Sequence, residues 1–80
     1  MKILVVEDEV RLADALSQIM KEQKYQVDVA NDGIDGLDYA MIGDYDVIIL
    51  DVMLPGKDGF QIVKELRAAK KQTPVLMLTA

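Results

Sequence analysis

Three runs of this chain, Ile3-Leu4-Val5-Val6, Val47-Ile48-Ile49-Leu50 and Val75-Leu76-Met77-Leu78, are apolar at every position. A strand with one wet face alternates polar and apolar residues. A run without alternation has to be covered on both faces, the condition of a strand inside a parallel sheet layered between helices. A fourth segment, Tyr25-Gln26-Val27-Asp28-Val29, does alternate and predicts a half-exposed edge strand. Stretches of helical periodicity separate the four, so the order reads β-α-β-α-β-α-β and the class is α/β.

Leu12, Leu16 and Ile19 share one helical stripe, widened by Ala15 and Met20, which predicts a helix over about residues 9 to 23. Glu9 and Asp14 stand near its start, where the helix dipole favours anions. Ile34, Leu37 and Met41 form a second stripe, with Asp32 placed to cap it and Gly43 to end it. Phe60, Val63 and Leu66 form a third behind the cap candidate Asp58, and Gln72-Thr73-Pro74 breaks it. Eighty residues suffice for one small domain and no second.

Two of the apolar runs end on acids. Asp51 closes one, and Glu7 and Asp8 close another. Ligands of open parallel sheets sit beyond the carboxyl ends of the strands, where the strand order reverses. With the first strand between the second and third, that reversal falls where the three acids lie. Taken singly, each is no more than a solvated loop carboxylate. Together they repel one another unless a cation or proton intervenes, and they match the oxygen ligands of Mg²⁺. Asp51 is the candidate nucleophile, because a carboxylate can accept a phosphoryl group. Asp8 is placed to bind the metal directly, Glu7 through water, and the backbone carbonyl of Met53 to add a further ligand. Thr79, at the end of the fourth run, is placed to donate its hydroxyl to a phosphoryl oxygen. Pro55 and Gly56 suit a tight turn beside Asp51, and Gly59 opens the third helix where a side chain would crowd the site.

Composition removes other chemistries. There is no Cys and no His, hence no disulfide, no thiolate and none of the usual general bases. A net charge of −5 argues against nucleic acid or an anionic membrane as a direct partner. No run approaches membrane-spanning length, Glu7-Asp8-Glu9 ends the first apolar stretch too early for a signal peptide, and a cytoplasmic location follows by default. The acids after the first strand stand where a phosphate-binding loop would need glycines and a lysine. Asp32, Asp35 and Asp38 are spaced as a solvated helix face, not as a Ca²⁺ loop.

The segments Ile3 to Glu9, Asp46 to Gly56, Asp58-Gly59 and Pro74 to Ala80, in that order, resemble the receiver domain of bacterial two-component response regulators over essentially the whole chain. The resemblance implies a flavodoxin-like, doubly wound parallel sheet with strand order 2-1-3-4. It implies that Asp51 takes a phosphoryl group from a sensor histidine kinase, that Glu7 and Asp8 hold Mg²⁺, and that Thr79, with the backbone of Ala80, contacts the phosphoryl group and reports its presence. It implies a signalling protein and not an enzyme turning over external substrates. The wording Leu54-Pro55-Gly56-Lys57-Asp58-Gly59 is similar to that of regulators with winged-helix DNA-binding output domains.

Family members continue through a fourth helix, a fifth strand and a fifth helix, and a lysine after that fifth strand pairs with the acids. Residues 1–80 therefore read as a partial receiver domain, and the resemblance implies impaired phosphorylation. Lys57 is the basic residue nearest Asp51 in sequence, with a solvated loop charge as its ordinary reading. The apolar fourth strand predicts a homo-oligomer formed through its open edge or through exchanged elements. A structural, self-associating fragment without phosphotransfer is the alternative.

Overall fold

The computed structural model describes residues 1–78. Seven elements alternate in the expected order: β1 (Lys2–Val6), α1 (Val10–Glu22), β2 (Gln26–Ala30), α2 (Gly33–Ile42), β3 (Val47–Asp51), α3 (Gly59–Ala68) and β4 (Val75–Leu78). Every pairing is parallel and the sheet order is β2-β1-β3-β4, so β2 is an edge strand, as its alternation predicts. Val6 pairs with Leu50, and one residue further on Glu7 and Asp51 stand level at the carboxyl edge.

Each face of the sheet has its own core. Leu4, Val6, Ile48 and Leu50 point to the side where Leu37 and Ala40 of α2 and Ile62 and Leu66 of α3 cover them. Ile3, Val5 and Ile49 point to the other side, against Leu16 and Met20 of α1. Removing Leu4, Ile48, Leu50, Ile62 and Leu66 completely from water contributes about 1.5–3 kcal/mol per side chain.

The helices form where expected, but the predicted stripes are covered only in part: Leu16, Met20, Leu37, Val63 and Leu66 pack on the sheet cores as expected, while the line of closest contact lies beside them. On α1 the buried residues are Ala13 and Ser17, while Leu12 and Ile19 are exposed. On α2 they are Gly33, Gly36, Leu37 and Ala40, with Ile34 and Met41 outside, and on α3 they are Gly59, Ile62 and Leu66, with Phe60 outside. The physical reason is close approach. A Cβ built on Gly36 would stand 2.5 Å from a Val6 methyl carbon, so small residues occupy the line of contact and large ones flank it.

Caps follow the sequence closely. Asp32 Oδ1 accepts the Asp35 N–H at 2.8 Å, Asp58 Oδ1 accepts the Gln61 N–H at 2.8 Å, and Glu9 caps α1 by accepting the Arg11 N–H at 2.9 Å. Asp14 lies beyond the first turn of α1. The third helix ends before Gln72-Thr73-Pro74, because Lys70 turns left-handed at φ 63° and Arg67 donates to the carbonyls of Lys71 and Thr73.

Candidate metal centre and phosphoacceptor

The parallel register brings Glu7, Asp8 and Asp51 together: one carboxylate oxygen from each lies within 4.8 Å of the others. Their settings differ. Glu7 is only 4% exposed, Asp51 is half-buried and Asp8 is exposed. Burial is the main force pushing the Glu7 carboxyl above its ordinary value, opposed by the Glu9 N–H, which donates to its Oε2 at 3.0 Å. The neighbouring acids Asp8 and Asp51 push the same way as burial. The one ion pair among the described residues lies elsewhere, so these acids have no basic partner within 4.0 Å there.

That ion pair corrects the ordinary reading of Lys57. Its ammonium is half-buried and bonded to Glu65 of α3 at 2.7 Å, so it is neither a solvated charge nor a partner of Asp51. The pairing clamps the β3–α3 loop to α3. Met53 stands in that loop with its N–H donated to Asp51 Oδ1 at 3.2 Å and its side chain 76% exposed. Pro55 accepts the Gly33 N–H at 2.9 Å, and Gly56 takes φ +85°, a turn that its lack of a side chain permits. Gly59 is crowded as expected, although from beneath the site: a Cβ there would stand 2.6 Å from the Asp51 carbonyl oxygen. Thr79 and Ala80 lie outside the described residues.

Two positioning residues escape sequence reasoning. Asn31 donates its side-chain amide to the Glu7 carbonyl at 2.9 Å, and Gly33 packs so tightly that a Cβ would collide with the Lys57 carbonyl. The signal was present in Asn31-Asp32-Gly33, which marks a helix start without saying what that start touches. Beside the acids an open hollow of about 560 Å³ is lined by Asp8, the loop from Val52 to Pro55, Asp58 and Phe60. A ligand approaching Asp51 would enter over an acidic wall and an apolar one.

The donor set is oxygen alone, which suits a hard divalent cation such as Mg²⁺ and not a metal that prefers nitrogen or sulfur. A buried carboxylate facing two others without a cation is electrostatically incomplete, so these residues fit such an ion. The profile of the response regulator receiver domain matches residues 3–80. The chain belongs to that family. Among curated relatives, this receiver chain is 49% identical over 80 residues to the transcriptional regulatory protein CusR of Escherichia coli K12, and 45% identical over 80 to DltR of Streptococcus agalactiae. All of the chain is covered in both, but it spans about a third of the relatives' length (35% and 36%). Solved receivers superpose closely. The receiver domain of Francisella response regulator 1452 gives a TM-score of 0.95 at 35% identity, covering 99% of this chain and 65% of that one. TrrA of Thermotoga maritima, solved in complex with Mg²⁺-BeF, gives 0.91 at 37%, covering 99% and 69%. The fold is that of the receiver family, an α/β flavodoxin-like parallel sheet, and no helix among the described residues is long and apolar enough to cross a membrane.

Proposed function

We propose that Asp51 accepts a phosphoryl group from the phosphohistidine of a sensor histidine kinase, at a site where Glu7, Asp8, Asp51 and the Met53 carbonyl hold Mg²⁺. The observation that carries this reading is the three-acid convergence at the carboxyl edge of β1 and β3, with Asp51 half-buried beside an open hollow. The Met53 N–H holds Asp51 Oδ1 and leaves Oδ2 to attack. The new O–P bond forms as the N–P bond breaks, and its electron pair returns to the imidazole nitrogen. Bound Mg²⁺ supplies charge neutralisation for the carboxylates and the phosphoryl oxygens. Thr79 donates its hydroxyl and Ala80 its N–H to the transferred group, Pro55 and Gly59 hold the loop and helix start that frame it, and the chain acts as a cytoplasmic receiver controlling a transcription regulator. Among the described residues no basic side chain pairs with the acids, which leaves their charge for the cation to balance.

Incubation with acetyl phosphate or phosphoramidate and Mg²⁺, followed by intact-mass measurement, tests this. One phosphoryl addition is expected, lost in Asp51→Asn and with EDTA. An addition that survives Asp51→Asn would overturn the assignment.

One observation favours self-association as a second reading. Among the described residues β4 pairs only with β3, and Leu76 on it is 57% exposed. Edge pairing or exchange of elements would cover it. Sedimentation at micromolar concentration should show a dimer or larger species, and a monodisperse folded monomer would refute it.

A further inference from the structure

The hollow beside the acids carries a group that phosphoryl transfer does not use, the thioether of Met53. Its backbone N–H holds Asp51 Oδ1 at 3.2 Å, and its side chain lines the same hollow as Asp8. Of the five methionines of the chain it is the most accessible, at 76% exposed against 58% for Met1 and 36% for Met41. Met20 and Met77 pack against the two sheet cores. The loop that carries Met53 is anchored, with Pro55 accepting the Gly33 N–H and Lys57 bonded to Glu65. An accessible sulfur is thus kept at the rim of an oxygen-lined cation site.

Softness decides what that sulfur can offer. A thioether is a soft donor and Mg²⁺ a hard cation, so in the reduced protein the side chain adds nothing to the oxygens of Glu7, Asp8 and Asp51. Two-electron oxidation reverses its character. A sulfur lone pair attacks hydrogen peroxide, and the S–O bond forms as the O–O bond breaks. The proton of the transferred oxygen passes to the departing hydroxide, which leaves as water. Sulfur is oxidised to the sulfoxide and the peroxide is reduced. The product carries a polar oxygen acceptor where the thioether was apolar, and methionine sulfoxide reductases reverse the change. Oxidation inside a core disrupts packing, but Met53 lies outside both cores, so its oxidation leaves the fold intact.

We propose that Met53 is an oxidation site for peroxides, and that its sulfoxide adds an oxygen donor to the cation site at Asp51. The second half rests on the proposed Mg²⁺ site, and the first half does not. Oxidation then raises the affinity of the acid edge for a hard cation without touching a carboxylate.

Brief treatment of the whole chain with dilute hydrogen peroxide in EDTA, followed by fragment mass mapping, tests the first half. Met53 should gain one oxygen several-fold faster than Met20 and Met77. After removal of peroxide and EDTA, amide-resolved NMR titration with MgCl₂ tests the second. The oxidised protein should bind Mg²⁺ about fivefold more tightly than the untreated protein, equivalent to about 1 kcal/mol, with shifts at Glu7, Asp8 and Asp51. Met53→Leu should abolish this peroxide-dependent gain, and Met41→Leu should retain it. Oxidation of Met53 no faster than of Met20 and Met77, equal Mg²⁺ affinity before and after treatment, or a gain that survives Met53→Leu would each overturn the inference. An untreated protein that takes up no Mg²⁺ would overturn the metal site itself, and the second half with it.

Discussion

Neutralising Asp51 should stabilise the metal-free protein. The carboxylate oxygens of Glu7, Asp8 and Asp51 lie within 4.8 Å of one another. At that separation a pair of like charges repels by about 3.5 kcal/mol at an effective dielectric of ~20, and by about 0.9 kcal/mol in bulk water. Asp8 is exposed and Asp51 only half-buried, so the lower part of that range applies, and Asp51→Asn should gain about 1–2 kcal/mol in EDTA at neutral pH. The dependence on pH has a definite sign. The folded-state pKa of Glu7 is raised, so the folded protein holds that proton more tightly than the unfolded chain. Stability is highest below the unfolded value, near 4.5, and falls as pH rises through the folded value. The advantage of Asn should therefore be full above that window and shrink as the acids protonate below it. Mg²⁺ should reverse the order, because a cation at a hundred times its dissociation constant stabilises the wild type by about 2.7 kcal/mol while the variant has lost a ligand. Urea denaturation in EDTA at neutral and acid pH, then in excess Mg²⁺, measures all three arms. The exposed Asp14→Asn, within about 0.5 kcal/mol of wild type, is the control. An Asp51→Asn protein no more stable than wild type in EDTA, or a gap indifferent to pH and Mg²⁺, would refute the reasoning.

Four further substitutions address close packing, backbone conformation and the α3–β4 connection. Gly33→Ala should lower the urea midpoint, because collision with the Lys57 carbonyl costs about 1–3 kcal/mol and exceeds the ~1 kcal/mol gained in helix propensity. Lys24→Gly and Lys70→Gly, at φ 66° and 63°, should each raise the melting temperature through about 0.5 kcal/mol, since relief of left-handed backbone outweighs the entropy of glycine. Arg67→Met should cost about 2 kcal/mol through its two lost carbonyl bonds, and hydrogen exchange should rise first in the α3–β4 connection.

The sheet and its acid edge were legible because both depend on short-range pattern. Continuous apolar runs announced β1, β3 and β4, alternation announced β2, and the acids closing β1 and β3 needed only parallel register to converge. The caps Asp32 and Asp58 were equally local. The helix faces were legible only in part, through Leu16, Leu37 and Leu66. Counting large apolar residues favoured Leu12, Ile19, Ile34 and Phe60, whereas contact with a sheet is made along Ala13, Ser17, Gly36, Ala40 and Gly59. Small residues carry little weight in a periodicity count but set how near a helix can come. The partner of Lys57 was hidden for another reason: proximity to Asp51 in sequence says nothing about Glu65, in the second turn of the helix that follows the loop.

The small residues also bear on the chemistry. Glu7 comes to lie beside Asp51 by strand register, but what holds both in place acts on the backbone: Gly33 packed under the Lys57 carbonyl, Gly59 under the Asp51 carbonyl, and the Asn31 side-chain amide bonded to the carbonyl of Glu7. None of these contacts uses a carboxylate oxygen. The acids are thus positioned from behind, and among the described residues their oxygens stay largely uncommitted, the Glu9 and Met53 amides taking one each. A site built this way can hold like charges close without neutralising them, because relaxing the repulsion would require moving the sheet edge itself. The repulsion that lowers stability without metal is the same interaction that a cation relieves on binding. Metal affinity and metal-free stability should therefore move in opposite directions across substitutions at Glu7, Asp8 and Asp51, and together across substitutions at Asn31 and Gly33.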